Sequence, residues 1–196
     1  MFNYRKEIDG LRAIAVISVL LFHAGFSSFS GGYVGVDIFF VISGYLITSF
    51  ILKEKSGGSF SLLTFYERRI RRIIPALFFV TLLSVPFAFI TMSPMLLKEF
   101  GNSVISIPLF ISNILFWSEA GYFATAGEEK PLLHTWSLAV EEQYYLIFPL
   151  FIVFFWRFGK QFLIIVISIV ALLSILLAQF GGNLNFHNGI DLNPEF

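Results

Sequence analysis

Apolar residues run along this chain in long unbroken stretches, without the alternation of a half-buried strand or the three-and-four spacing of an amphipathic helix. Five stretches reach the roughly 17–25 residues that a helix needs to cross a bilayer: Leu11–Phe29, Val36–Leu52, Ile73–Met92, Leu138–Trp156 and Phe162–Phe180. The first and fourth carry charges inside them. A sixth run, Ser103–Trp117, is shorter and contains Pro108, Ser112 and Asn113, so it reads as a half-span or re-entrant segment. The pattern therefore predicts an all-α, polytopic transmembrane helix bundle with five full spans and one partial one. No repeat, heptad or low-complexity tract interrupts it. The first stretch lacks a small-residue cleavage site and is broken by Arg12 and His23, so it is expected to stay in the protein rather than leave as a signal peptide.

Composition agrees with a bilayer and excludes a soluble globule. Hydrophobic residues make up 57% of the 196 and charged ones 13%, about half the share usual in water, while 26 Phe exceed what one aqueous core of this length hides. Lys plus Arg and Asp plus Glu balance at 13 each, so no nucleic-acid partner is expected. Cysteine is absent, which excludes disulfides and thiolate metal sites, and three scattered histidines offer no metal-ligand spacing.

The distribution of positive charge sets an expected orientation, because cytoplasmic loops accumulate Lys and Arg. Arg5, Lys6 and Arg12 open the first span, and Lys53, Lys55, Arg68, Arg69, Arg71 and Arg72 lie between the second and third. Both groups are expected to be cytoplasmic. If Ser103–Trp117 turns back, Arg157 and Lys160 join them and only Lys98 and Lys130 lie outside; if it crosses, the inside loses one charge. The shortness of the run favours the first arrangement, in which His134 lies on the side of Asp37.

Polar residues inside these stretches are the candidates for chemistry, since an ionisable group in a span is costly unless it faces protein or water. Arg12 and His23 are eleven positions apart, within ~20° of three full turns, so they share one helix face about 16 Å apart. Arg12 has the option of snorkelling to the interface. His23 reads as a proton acceptor, against the plainer role of hydrogen-bonding a neighbouring helix. Asp37 opens the second span near the same end; it serves either as a first-turn carboxylate or as a group that orients the His23 ring.

Arg68, Arg71 and Arg72 occupy positions i, i+3 and i+4 and form one cationic face. That face suits anionic membrane lipid, and equally suits a phosphorylated cytoplasmic ligand held by guanidinium forks. Glu141 and Glu142 lie about one turn into the fourth span and point about 100° apart, so one faces a cavity and the other its rim or a partner such as His134. Trp136, Tyr144 and Tyr145 fit an interfacial aromatic belt. His187 lies outside every pattern and receives no role. A proton-coupled transporter would place His, Arg and Glu in the bundle in the same way, and a non-catalytic membrane fragment is the third alternative.

Four motifs resemble one family. Glu7-Ile-Asp-Gly-Leu-Arg-Ala-Ile-Ala-Val runs on to Phe22-His23-Ala24, and is followed by Gly31-Gly-Tyr-Val-Gly-Val-Asp-Ile-Phe-Phe-Val-Ile-Ser-Gly-Tyr-Leu-Ile-Thr48. Phe65-Tyr-Glu-Arg-Arg-Ile-Arg-Arg-Ile-Ile-Pro75 and His134-Thr-Trp-Ser-Leu-Ala-Val-Glu-Glu-Gln-Tyr-Tyr145 complete the set. In this order they resemble the acyltransferase family 3 proteins, integral membrane O-acyltransferases that acetylate bacterial surface polysaccharides such as lipopolysaccharide and peptidoglycan. The resemblance implies a multi-pass protein of the bacterial inner membrane, with its N-terminus cytoplasmic. It implies acetyl-CoA (acyl-CoA) as donor substrate rather than bound cofactor, and a polysaccharide or glycolipid hydroxyl as acceptor.

On this sequence the family's arginine and histidine fall on Arg12 and His23, with His23 essential, and its basic motif on Arg68, Arg71 and Arg72. The site expected from residues and resemblance together is catalytic at His23, Asp37, Glu141 and Glu142, and substrate-binding at Arg12, Arg68, Arg71, Arg72, His134 and Trp136. The family's membrane domain resembles a bundle of about ten helices, so residues 1–196 are expected to be its N-terminal part.

Overall fold

A computed structural model describes residues 5–120 and 127–181; His187 lies outside them. The regular structure among the described residues is all helical, with no strand. In chain order the helices are α1 (Lys6–His23), α2 (Gly35–Ser56), α3 (Leu62–Thr91), α4 (Pro94–Ser106), α5 (Ser112–Ser118), α6 (Thr135–Trp156) and α7 (Lys160–Gly181). By length and apolarity four segments are able to cross a membrane: α2 with the turn before it, α3, α6 and α7. The expected first span departs from this. Its helix begins earlier and, at 18 residues, carries Lys6, Glu7, Asp9 and Arg12 in its first two turns.

That helix also stops six residues sooner than the apolar pattern suggested. Gly25 has φ +79°, and the Gly25 and Phe26 N–H groups return to the carbonyls of Phe22 and Leu21, closing the helix after His23. His23 is therefore in the last turn of α1 rather than deep within a span. The same device, with Gly58 at φ +69°, ends α2. In contrast α3 starts well before the expected Ile73, because Ser61 caps it through the Thr64 N–H and the arginine-bearing segment is continuous with the apolar one, through Pro75 and Pro86.

Helices α1 and α2 form an antiparallel hairpin at close range. A methyl group on Gly35 would lie 2.4 Å from the Ala15 carbonyl oxygen, and one on Gly32 would lie 2.2 Å from that of Ser18. Arg12 stacks on Phe39, 4.9 Å from its ring centre, and Arg5 donates to Tyr45. Helix α6 runs parallel to α2: Phe40 meets Trp136 near their starts, and Ile47 and Ile51 share a core with Tyr145 and Ile152 further along. Helix α3 returns antiparallel, contributing Phe65 to that core and donating from the Tyr66 hydroxyl to the Leu146 carbonyl.

The segment read as a half-span, Ser103–Trp117, takes in the last turn of α4, a break at which Phe110 adopts φ +53°, and most of α5, so that α4 and α5 form a hairpin. Both outer ends meet at Lys130, which contacts Glu119 at 2.7 Å and Glu99 at 4.0 Å. The hairpin thus enters and leaves at one end of the bundle, as a re-entrant segment does. Gln143 of α6 holds the break, donating to the Phe110 carbonyl at 2.8 Å and to Asn113 at 3.0 Å.

Gly35→Ala should lose about 1–3 kcal/mol through overpacking against a backbone that cannot yield. Gly10→Ala, in a helix position with open space around it, should gain about 0.5–1 kcal/mol. Thermal unfolding of the two variants in one detergent checks the contrast.

Candidate functional site

Three polar groups of residues are built into this frame, one at each end of α2 and one between them. The first joins the last turn of α1 to the start of α6. The His23 and His134 rings lie edge to face, with centroids 4.4 Å apart and planes at 80°. Nδ1 of His23 is 2.9 Å from the Val19 carbonyl oxygen, one helical turn earlier. A carbonyl only accepts, so in the neutral ring the proton is on Nδ1 and Nε2 carries the free lone pair. A backbone oxygen thereby fills the orienting role considered for Asp37. Asp37 is exposed in the first turn of α2, favourably placed for the helix dipole, where α2 has no side-chain cap.

His134 directly precedes α6. Its pKa is lowered from 6.5, first by desolvation and then by the charge of His23. It pairs with His23 rather than with Glu141. Trp136 lies one turn on, its ring 6.4 Å from that of Phe40. Arg12, on the face of α1 that the spacing predicted, is occupied by Phe39.

The second group is at mid-bundle. Glu141 accepts a short hydrogen bond from the Tyr145 hydroxyl one turn later, and Ser43 of α2, buried, hydrogen-bonds the same phenol. The guanidinium of Arg69 lies over the Tyr145 ring at 3.8 Å. Glu142 has Oε1 buried with no hydrogen-bond partner among the described residues, within electrostatic reach of Arg69 and Arg72. Neighbouring glutamates thus diverge as their helical positions require, one paired and one held by more distant cations.

The third group is the arginine end. Arg68 lies 3.6 Å from Glu54 near the end of α2, and Arg71 is 2.8 Å from Glu67 on its own helix. Arg68, Arg71 and Arg72 are exposed. From Asp37 to Glu54 is seventeen residues of helix, about 26 Å, so the arginine and histidine ends are separated by most of a membrane's hydrocarbon thickness.

The sequence reading assembled His23 with His134's end of the bundle and grouped Arg68 with Arg71 and Arg72, but it missed five participants. Arg69 was counted among the loop charges, although its place between Arg68 and Arg72 turns it inward onto α6. Tyr145 reads as a belt residue until its i+4 spacing from Glu141 is considered. The Val19 carbonyl has no signature in sequence, and Gln143 and Asn113 are thirty residues apart.

Residues 5–193 match the family described as an acyltransferase domain. The chain is 42% identical over 161 residues to the peptidoglycan O-acetyltransferase OatA of Listeria monocytogenes, covering 81% of this chain and 26% of that protein. It is 40% identical over 175 residues to the O-acetyltransferase OatA of Staphylococcus aureus, covering 88% of this chain and 29% of that one. The chain thus spans between a quarter and a third of the length of these relatives. No solved structure matches.

Tyr145→Phe should lower stability by about 1–3 kcal/mol, because it strips the Glu141 carboxylate of its donor inside the bundle. Leu146→Ala, at a side chain 58% exposed, should cost much less. Denaturation midpoints in a common micelle compare the two.

Proposed function

Because the chain belongs to this acyltransferase family, we propose that it moves an acetyl group from cytoplasmic acyl-CoA to a hydroxyl of a cell-surface polysaccharide, with peptidoglycan the acceptor class favoured by its relatives. The observation that carries the proposal is the His23 ring, fixed by Val19 with Nε2 unprotonated and exposed at one end of the bundle. In this reading Nε2 takes the proton of the acceptor hydroxyl as its oxygen attacks the thioester carbonyl. The new C–O bond forms, the C–S bond breaks, and the departing thiolate takes that proton back from Nε2, which restores the neutral ring. Arg12 lines the same helix below His23, and Asp37 and Trp136 border the acceptor's approach.

At the other end, Arg68, Arg71 and Arg72 receive the donor's phosphates, because guanidinium groups bind phosphate through paired hydrogen bonds. Glu141 and Glu142, with Arg69 between α3 and α6, line the passage from donor to acceptor. The distribution of positive residues supports a reading with the arginine end in the cytoplasm and the histidine end outside, in a multi-pass protein of the bacterial cell membrane. Membrane lipid surrounds α3 and α7, whose apolar side chains are exposed along most of their lengths.

His23→Ala should lower polysaccharide acetylation at least about 100-fold, the scale of a lost general base, while membrane insertion stays intact. Wild-type acetylation by a stably inserted variant would remove His23 from the mechanism. Replacing Arg71 and Arg72 together by Gln should weaken acetyl-CoA binding at least about tenfold, and raised salt should weaken binding to the unsubstituted protein. Binding should occur on inside-out vesicles and fail on right-side-out ones; the reverse sidedness would overturn the orientation.

A further inference from the structure

We propose that His23 and His134 form a single proton-holding unit in which the proton resides on His23 and His134 is its neutral positioning residue. The proposal deepens the reading of His23 as the base of the transfer and takes its purpose from it. Its argument starts with the ring contact: centroids 4.4 Å apart in an edge-to-face arrangement leave no room for a shell of water between two charges. Two imidazolium ions at that range repel, and a pair that interacts so strongly titrates as a unit.

The helix ends break the symmetry. His23 is in the last turn of α1, where the carbonyls that point out of the helix favour a cation, and its Nδ1–H is already committed to one of them at Val19. His134 stands immediately before the first turn of α6, where the positive end of the helix dipole disfavours a cation. Partial desolvation, and after it the charge of His23, both oppose protonation of His134.

Among the described ionisable groups toward this end, Lys98 on α4 and Glu129 beside Lys130 are exposed. On α2 the first-turn carboxylate is Asp37, exposed. In the segment before α2, Tyr33 packs on Phe22. Lys130, four residues before His134, is committed to Glu119 and Glu99, and Glu141 on α6 to Tyr145. A proton taken from an acceptor hydroxyl therefore stays on His23, with the edge of one ring held against the face of the other, and a second proton does not enter the pair in the neutral range.

The test is a side-chain NMR titration of the histidine-labelled chain in micelles, which needs no turnover. The sequence has three histidines, so His187→Gln identifies the third signal. Neutral His23 should show the Nδ1–H tautomer, and His134 should titrate below the ordinary histidine range. In His23→Gln the acid dissociation constant of His134 should fall about tenfold as the repulsion is removed. His134→Phe keeps an aromatic face and loses its basicity, so the His23 signal should pass from two inflections to one. An Nε2–H tautomer at His23, or titration of each histidine unchanged by loss of the other, would overturn the unit and leave the transfer reading standing. Acetylation by an inserted His23→Ala protein would overturn the transfer reading and leave the measured coupling in place.

Discussion

The contact on which the arrangement depends is the seam between α1 and α2, where Gly32 and Gly35 admit the backbone of the opposite helix to distances that any Cβ forbids. Between membrane helices apolar burial contributes little, since lipid is as apolar as a side chain, and close packing of small residues takes its place. The seam fixes the height of α1 against α2, and with it the height of His23 against α6. It also explains why a helix with four charged residues in its first two turns stays attached: Arg12 covers Phe39 and Arg5 reaches Tyr45, two contacts available only when the axes run close.

A second constraint operates around α6, which carries Glu141, Glu142, Gln143, Tyr144 and Tyr145 in succession within an apolar helix. Each must find a partner where water is scarce. Glu141 finds Tyr145, Tyr145 finds Ser43 and Arg69, and Gln143 finds the broken backbone between α4 and α5. The last pairing stabilises a Phe at positive φ, a conformation that costs roughly 1–2 kcal/mol for an ordinary residue. One face of α6 thus holds the re-entrant hairpin while the next faces the arginine helix, and the helix spaces the histidine and arginine ends apart.

Long-range and short-range features differed in how far they were legible beforehand. The second, fourth and fifth apolar stretches became α2, α6 and α7 because length and hydropathy suffice to specify a membrane helix. The first stretch misled, since apolar side chains continue past His23 while the backbone, released by Gly25, does not. The third understated its helix, because charged residues ahead of Ile73 hid a continuous register. At the site, residues sharing one helix were grouped correctly, as with Arg68, Arg71 and Arg72. The pairing of His23 with His134 was out of reach, being a contact across 111 positions that depends on how α1 and α6 are docked. So was the inward turn of Arg69, which periodicity alone does not distinguish from its neighbours.

The bond from His23 to Val19 lies wholly within α1, between residues four apart, whereas the contact with His134 bridges two helices. Bundles of membrane helices breathe by small rigid shifts of one element against another, and such shifts leave the internal geometry of each helix intact. The choice of which nitrogen bears the proton is thereby insulated from such shifts. What changes as α1 and α6 slide is the cost of charging the ring, not its chemical direction.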